Sequence, residues 1–379
     1  KMQRRQEVNK DIVESRIERM RKKMAESDID TVMIFSDENR QYLSGYTGKD
    51  GSYDESAGIL VITGNELILA CDPRYDRQAE QEAPMYSVVC YKKSLCEEIP
   101  GILETVGARR VGVEDARLTV KDYNEITSRI EQNNLGIEIL FCNGLLKDLR
   151  IQKDDTEIAL IRKALTVAET SFLQFKQTIT EGMTEKQAAW TLEKLMRENG
   201  ADSLSFDVIA ASGSQSALPH AIPGEKTFRA GEPLLFDFGA KVDGYCSDTT
   251  RTLIMGRTES QFEEVYHTVF EAQKKGVAAI RPGAKASDVD AAARTYIDST
   301  KFEGKFAHSL GHGVGMAIHE SPRLSRLDET ILEKGMVVTV EPGIYIPDWG
   351  GIRLENMILV TEDGAEVLNQ TGYNDYLIQ

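Results

Sequence analysis

Apolar positions along the chain follow two rhythms, and the change from one to the other outlines the architecture. Ile12, Val13, Ile17, Met20 and Met24 recur at helical spacing among charged residues, which predicts an amphipathic helix over about residues 8–28. Thr31 to Phe35 reads as a short buried strand, and Asn39 to Gly45 as a helical turn closed by glycine. Residues 57–63 and 67–71 read as neighbouring strands joined at Gly64-Asn65. From residue 87 strand and helix alternate, with strands over 87–91 and 110–114 and helices over 94–106 and 118–132. The alternation predicts an α/β domain over residues 1–148. It carries no glycine-rich phosphate loop, which argues against a nucleotide site.

A charged and polar stretch over 145–155 leads into a second domain, residues 149–379. There the helical rhythm returns over about 156–179, pauses at Gly182 and resumes over 184–199. The same plan recurs about a hundred residues later, with helices over 260–280 and 287–299 around Gly283, and both units read helix, Ile-x-x-Gly, helix. Two unrelated helix pairs fit so short a match equally well; a true repeat would place two related halves around one site.

Between the helix pairs, residues 235–252 read as a β-hairpin whose turn is Asp243-Gly244, a pair that tolerates positive φ. Any two-residue loop at that position puts Asp237 and Asp248 on one face of the hairpin, as direct or diagonal neighbours. Two acids facing each other among apolar residues repel, so a cation belongs between them. A divalent metal is the simplest candidate.

Composition narrows the partners. The chain has 379 residues, 41% of them hydrophobic, and a formal charge of −16. That charge disfavours nucleic acid and anionic membranes, which need a basic surface, and leaves small substrates open. Five cysteines stand singly with no CxxC, so neither a disulfide framework nor a zinc knuckle is expected. With no apolar run of signal-peptide or membrane-span length, the expectation is a soluble cytoplasmic protein.

More ligands for a metal lie downstream. His308, His312 and His319 place three of the five histidines within twelve positions of a glycine-rich stretch. The glycines there would let the backbone approach a ligand closely. Residues 336–340 form an apolar strand that ends in Glu341, and 351–360 read as a second strand with Glu355 among apolar residues. Acids are rarely buried without partners. Four of them with a histidine suit two hard or borderline divalent ions better than one tetrahedral zinc, and such a pair can acidify a water between them.

These residues resemble a known family. The Asp237/Asp248 hairpin, His308-Ser309-Leu310-Gly311-His312-Gly313-Val314-Gly315, Thr339-Val340-Glu341-Pro342-Gly343-Ile344-Tyr345 and Arg353-Leu354-Glu355 are similar to the motifs of the pita-bread metallopeptidases, which include prolidase and aminopeptidase P. The first domain, with Tyr42-Leu43-Ser44-Gly45-Tyr46-Thr47-Gly48 and Asp72-Pro73-Arg74-Tyr75, resembles their creatinase-like domain, which methionine aminopeptidases lack. The resemblance implies an N-terminal creatinase-like α/β domain and a C-terminal α+β pita-bread domain with pseudo-twofold halves.

It also implies roles. Asp237 would chelate one metal, Asp248 and Glu355 would bridge two, and His312 and Glu341 would complete the other. Manganese is the first candidate, followed by cobalt, zinc and iron. Relatives that lack activity lose ligands, so the intact set favours a working enzyme. His220, His308 and His319 match histidines near the substrate, Arg353 an arginine that supports the metal site, and Tyr345 adds a hydrogen bond behind it, whereas His267 in a polar helix is a surface residue. The implied reaction is hydrolysis of a peptide bond to proline, with Glu341 taking a proton from the attacking water and His319 stabilising the oxyanion. Arg323 stands where prolidases place a carboxylate-binding arginine, which favours an Xaa-Pro dipeptidase. The alternatives are an aminopeptidase P acting on longer peptides and a non-catalytic peptide-binding protein on the same fold. By analogy the chain forms a homodimer.

Overall fold

The computed structural model describes residues 10–50, 56–142, 144–373 and 375–378. Contacts divide the chain into two units, Lys1–Leu149 and Arg150–Gln379.

The first unit is built on a six-stranded mixed sheet in the order Ser87–Cys90, Leu67–Cys71, Gly58–Thr63, Thr31–Ile34, Arg110–Val113, Glu138–Phe141. Gly58–Thr63 runs antiparallel to both neighbours, while the remaining pairs are parallel. Helix Lys10–Glu26 buries Val13, Ile17, Met20 and Met24, the stripe that its periodicity requires. Residues 8 and 9 of the expected helix lie outside the described residues. The helix expected from residue 118 starts instead at Val120, because the Thr119 side chain accepts a hydrogen bond from the Asp122 N–H at 3.1 Å and caps it. Helix Asp76–Glu82 and strand Glu138–Phe141 are not foreseen from the sequence. The strand is an edge strand with exposed ends, so it lacks the continuous apolar run that marks its buried neighbours.

The second unit contains two helix pairs, each packed on its own sheet. Asp155–Lys176 and Glu185–Glu198 cover a four-stranded sheet in the order Leu377–Ile378, Thr249–Met255, Pro233–Phe238, Ile209–Ser212, through a core that includes Phe172, Phe175, Phe236 and Phe238. Phe172 and Phe238 stack with ring centroids 4.8 Å apart. Ser260–Ala279 and Ala286–Asp298 cover a five-stranded sheet in the order Glu320–Leu324, Gly311–Gly313, Val337–Val340, Asn356–Val360, Ala365–Val367, through Val265, Val269, Val289, Val338 and Ile358. The link between the helices of each pair is the same structure twice. Gly182 (φ 84°) and Gly283 (φ 85°) donate backbone hydrogen bonds to the carbonyls of Phe228 and Leu332, and single bridges join Thr184 to Thr227 and Lys285 to Ile331. The Ile-x-x-Gly repeat therefore marks two related halves.

One expected element is corrected. Residues 351–360 are not a single strand: Gly350–Arg353 pairs with Gly343–Ile346 in a two-stranded ribbon, and Asn356–Val360 pairs with Val337–Val340 in the five-stranded sheet. The chain changes sheets at Leu354-Glu355, where the Glu355 N–H bonds the Thr250 carbonyl at 3.2 Å. Arg353, Glu355 and Asn356 interrupt the apolar run at that break, but both pieces are buried throughout, so burial does not mark the change of sheet.

Candidate metal centre

The hairpin forms as its turn chemistry demands. Asp243 and Gly244 both have positive φ, 50° and 88°, which matches the right-handed twist of the flanking strands. In that register Asp237 lies opposite Thr250, so Asp248, two residues away, is a diagonal neighbour on the same face. Gly239 and Asp248 lie outside the strand pairings, and a Cβ on Gly239 would come within 2.0 Å of the Ser247 carbonyl. The hairpin pinches there and sends the Asp248 carboxyl toward Asp237.

His312 arrives from the strand Gly311–Gly313 and Glu341 from the end of Val337–Val340, with Glu355 at the break between sheets. Ligand atoms of Asp248, His312 and Glu355 all lie within 4.8 Å of one another. His312 Nε2 is 3.4 Å from Asp248 Oδ2 and 3.4 Å from Glu341 Oε1. Thr339 orders two of these groups, since its hydroxyl accepts the His312 N–H at 3.0 Å and donates to Glu341 Oε1 at 3.3 Å. Asp248, His312 and Glu355 thus cluster around one point; Glu341 adjoins them through His312, and Asp237 lies close enough to raise the carboxyls of Asp248 and Glu355. The glycines beside His312 serve a different purpose from the one expected. A Cβ on Gly311 would meet the Thr339 carbonyl at 1.9 Å, so its absence lets two strands approach each other rather than a ligand.

Opposite the acids stands a buried cation. Arg353 gives Nη2 to Asp237 Oδ2 at 2.7 Å, Nη1 to the Tyr345 hydroxyl at 3.0 Å and to the Pro219 carbonyl at 3.2 Å, and Nε to the Thr250 hydroxyl at 3.1 Å. Thr250 in turn donates to Glu355 Oε2 at 2.7 Å. Sequence reasoning overlooked Thr250, yet a signal existed: Thr249, Thr250, Arg251 and Thr252 are consecutive polar residues of a wholly buried strand, and buried polar groups need partners. His308 sits behind this network. Its Nδ1 faces the Ser309 carbonyl at 2.8 Å, so that nitrogen carries the proton and Nε2 accepts from the Tyr345 hydroxyl at 2.8 Å. Burial and the Arg353 charge pull its pKa down to about 3.

The other sequence-chosen residues are placed as follows. His319 is solvent-accessible, and its ring lies edge-on to that of His312 with centroids 4.3 Å apart. Partial burial, then the neighbouring His312 and Arg323, lower its pKa to about 4. His220 is exposed on the loop after Gly213–Ala217, close enough to His308 and His319 to act on both. Arg323 is exposed in Glu320–Leu324, opposite His312 in register. His267 is exposed, away from this cluster in helix Ser260–Ala279.

One arginine does not neutralise four acids. Burial, then Asp237 and Glu341, push the Asp248 carboxyl well above its usual range; burial, then Asp248 and Glu341, do the same to Glu355. Burial also raises Glu341, even against the opposing pull of His312 and Arg353. Asp237 Oδ1 is buried and has no hydrogen-bond partner, although Oδ2 is held by Arg353. An orphaned carboxylate oxygen beside mutually repelling acids and an imidazole is the donor set of a divalent cation site, so the residues fit the metal.

Comparison with known proteins agrees. Residues 159–362 match metallopeptidase family M24, and residues 16–152 match the creatinase/prolidase N-terminal domain. The chain belongs to metallopeptidase family M24. It is 38% identical over 359 residues to an Xaa-Pro dipeptidase of Pyrococcus furiosus, a match that covers 95% of this chain and 99% of that protein. An Xaa-Pro dipeptidase structure from Bacillus anthracis superposes with a TM-score of 0.90 at 36% identity, covering 97% of this chain and 100% of that one. An X-Pro aminopeptidase structure from Thermotoga maritima gives 0.85 at 31% identity, covering 94% and 100%. This M24 metallopeptidase accordingly has the two-domain pita-bread fold, is an enzyme acting on peptides, and uses divalent metal.

Proposed function

We propose that this M24 metallopeptidase is an Xaa-Pro dipeptidase, with residues 149–379 as its catalytic domain and 1–148 as its creatinase-like companion. The observation that carries the hydrolytic reading is the buried set Asp237, Asp248, His312, Glu341 and Glu355 with its excess of negative charge. In our reading these residues would hold two divalent ions, manganese by preference. When bound, such ions would supply Lewis acidity to the scissile carbonyl and to the attacking water.

The chain's own groups divide the remaining work. Glu341 would take the proton of the attacking water as a carboxylate, a form that His312 and Arg353 favour against the opposing effect of burial. His319 is neutral at physiological pH, so it offers an N–H to the oxygen on which negative charge develops. Both ring nitrogens of His308 are engaged by the protein, and it acts on the substrate through Tyr345 and Arg353, which fix Asp237. His220, on the exposed loop whose Pro219 carbonyl Arg353 anchors, orients the peptide. A proline amide has no N–H to bond, so its ring must be accepted by shape.

The dipeptide preference rests on Arg323, whose exposed guanidinium lies close enough to His319 to influence it and so can meet a free carboxylate near the scissile bond. Similarity to the Thermotoga maritima X-Pro aminopeptidase supports a second reading, removal of an N-terminal residue before proline from longer peptides. We read the chain as a cytoplasmic homodimer, in keeping with five cysteines that stand as free thiols and with the family analogy. No helix among the described residues is long and apolar enough to cross a membrane.

The test is a manganese-supplemented assay with an Xaa-Pro dipeptide, an Xaa-Pro-Xaa tripeptide and a peptide without proline, each with and without chelator. Chelator-sensitive preference for the dipeptide is expected. Cleavage of the tripeptide alone would transfer the assignment to an aminopeptidase P, and cleavage of none would end the Xaa-Pro reading.

A further inference from the structure

The edge of the first unit's sheet carries a feature that peptide hydrolysis does not use. Strands Leu67–Cys71 and Ser87–Cys90 run parallel in a register that sets Cys71 directly opposite Cys90. Direct partners in a sheet point their side chains to the same face. The spacing of about 4.8 Å between neighbouring strands falls within the roughly 4.4–6.8 Å between Cα atoms that a disulfide spans. The two sulfur atoms already touch, with Sγ···Sγ 3.9 Å. Each of the other three thiols faces oxygen instead: Cys96 an Asp122 carboxylate, Cys142 the Leu140 carbonyl and Cys246 the Met316 carbonyl.

The two sulfurs differ in access. Cys71 is buried and Cys90 is exposed. Ser87–Cys90 is the outermost strand of the described sheet, bonded on one side only, so it can yield as a shorter bond closes.

We infer that Cys71 and Cys90 are a reversible dithiol/disulfide pair that takes a peroxide as its oxidant. In the first step Cys90, as thiolate, attacks one peroxide oxygen; the O–O bond breaks, Cys90 becomes a sulfenic acid, and the other oxygen leaves as hydroxide or alkoxide and takes up the proton that the Cys90 thiol released on ionising, giving water or alcohol. In the second step the Cys71 sulfur attacks the Cys90 sulfur. The S–S bond forms, the S–O bond breaks, and the hydroxyl leaves as water with the proton from Cys71. Two thiols are oxidised and one peroxide is reduced, with no further reactant. Burial, and then Cys90 beside it, push the Cys71 thiol up to about 12, which makes Cys71 the resolving sulfur and its attack the slow step. The pair is independent of the metal centre and of the substrate proposed above.

The experiment uses the reduced, metal-loaded full-length chain. It is treated with hydrogen peroxide, blocked with an alkylating agent in denaturant, and digested without reductant for mass spectrometry. A Cys71–Cys90 linked peptide lacking two hydrogen atoms is expected, together with loss of two of the five free thiols and their recovery after dithiothreitol. Cys90→Ser should abolish the link. Cys71→Ser, or Cys71→Ala as a second replacement, should leave Cys90 as a sulfenic acid that dimedone traps in higher yield than in the wild type. The inference is overturned if wild-type Cys90 proceeds to sulfinic or sulfonic acid while Cys71 stays a thiol. It is equally overturned if neither reacts under conditions that oxidise another cysteine of the chain.

Discussion

Glu355 and Glu320 are both largely buried glutamates of the second unit, and their carboxyl groups have moved in opposite directions. Burial raises both. Around Glu355 the next influences are Asp248 and Glu341, which raise it further; around Glu320 they are Lys153 and Arg150, which bring it below its usual range despite the burial. Lys153 Nζ is 2.7 Å from Glu320 Oε1, and Arg150 holds the other oxygen. The same contrast recurs between Asp237, with one oxygen orphaned, and Asp290, whose two oxygens are both bonded by Arg294 at 2.7 and 2.6 Å. Acid neutralised from within the chain is architecture. Acid left in excess needs a cation from outside, and that distinction separates a functional centre from the ion pairs around it.

The largest effect should come from removing a shared acid. Asp248→Ala is expected to lose metal, read by elemental analysis of the dialysed protein, and to drop activity to the uncatalysed background in the same variant. Folded protein that still turns over would sink the ligand assignment. His319→Gln supplies the contrast: metal content unchanged and turnover reduced by about 10²–10³-fold, the usual cost of one oxyanion donor.

The second test concerns the chain without metal. Asp248, Glu341 and Glu355 have folded-state pKa values above those of the unfolded chain, so the folded form binds their protons more tightly. The associated stability is present below the unfolded carboxylate value of about 4 and is lost as pH rises through the raised values. Divalent metal replaces those protons. The difference in melting temperature between manganese-loaded and chelated protein should therefore widen from acid toward neutral pH. At a free metal concentration about 1,000-fold above Kd it corresponds to about 4 kcal/mol. A gap that stays constant or narrows would mean that the acids are compensated from within, like Glu320.

Much of this centre is legible in the sequence, for a specific reason. Asp237 and Asp248 stand out because hairpin parity fixes their face, and three histidines in twelve positions because clustering is improbable without a use. The strands of both sheets are legible wherever they are buried on both faces and read as continuous apolar runs. What escapes is long-range hydrogen bonding. Thr250 joins Arg353 to Glu355 across more than a hundred residues of chain, and nothing local distinguishes its hydroxyl from those of Thr249 and Thr252. The break at Glu355 escapes for a different reason: Arg353, Glu355 and Asn356 do interrupt the apolar run there, but a polar interruption reads equally well as a ligand embedded in one strand as a crossing from one sheet to another. The histidines also show that a cluster need not share one chemistry: His312 reaches the acids, whereas both nitrogens of His308 are spent on Ser309 and Tyr345.

The smallest effect lies on the compensated side of the comparison. Glu320→Gln keeps the shape of the side chain but leaves Arg150 and Lys153 without their carboxylate, and breaking such a buried pair from one side costs about 3 kcal/mol. The sign with pH is the reverse of that at the metal centre. Because the folded-state pKa of Glu320 lies below the unfolded value, its contribution is present above about pH 4 and is lost as pH falls through the folded value. Denaturant titrations of wild type and variant should therefore differ most near neutrality and converge in acid, with metal content the same in both. If the variant instead lost metal, Glu320 would belong to the centre after all. If the two proteins differed equally at every pH, its ion pairs would contribute packing rather than charge, and the contrast with Glu355 would fail on the side where the chain supplies its own cations.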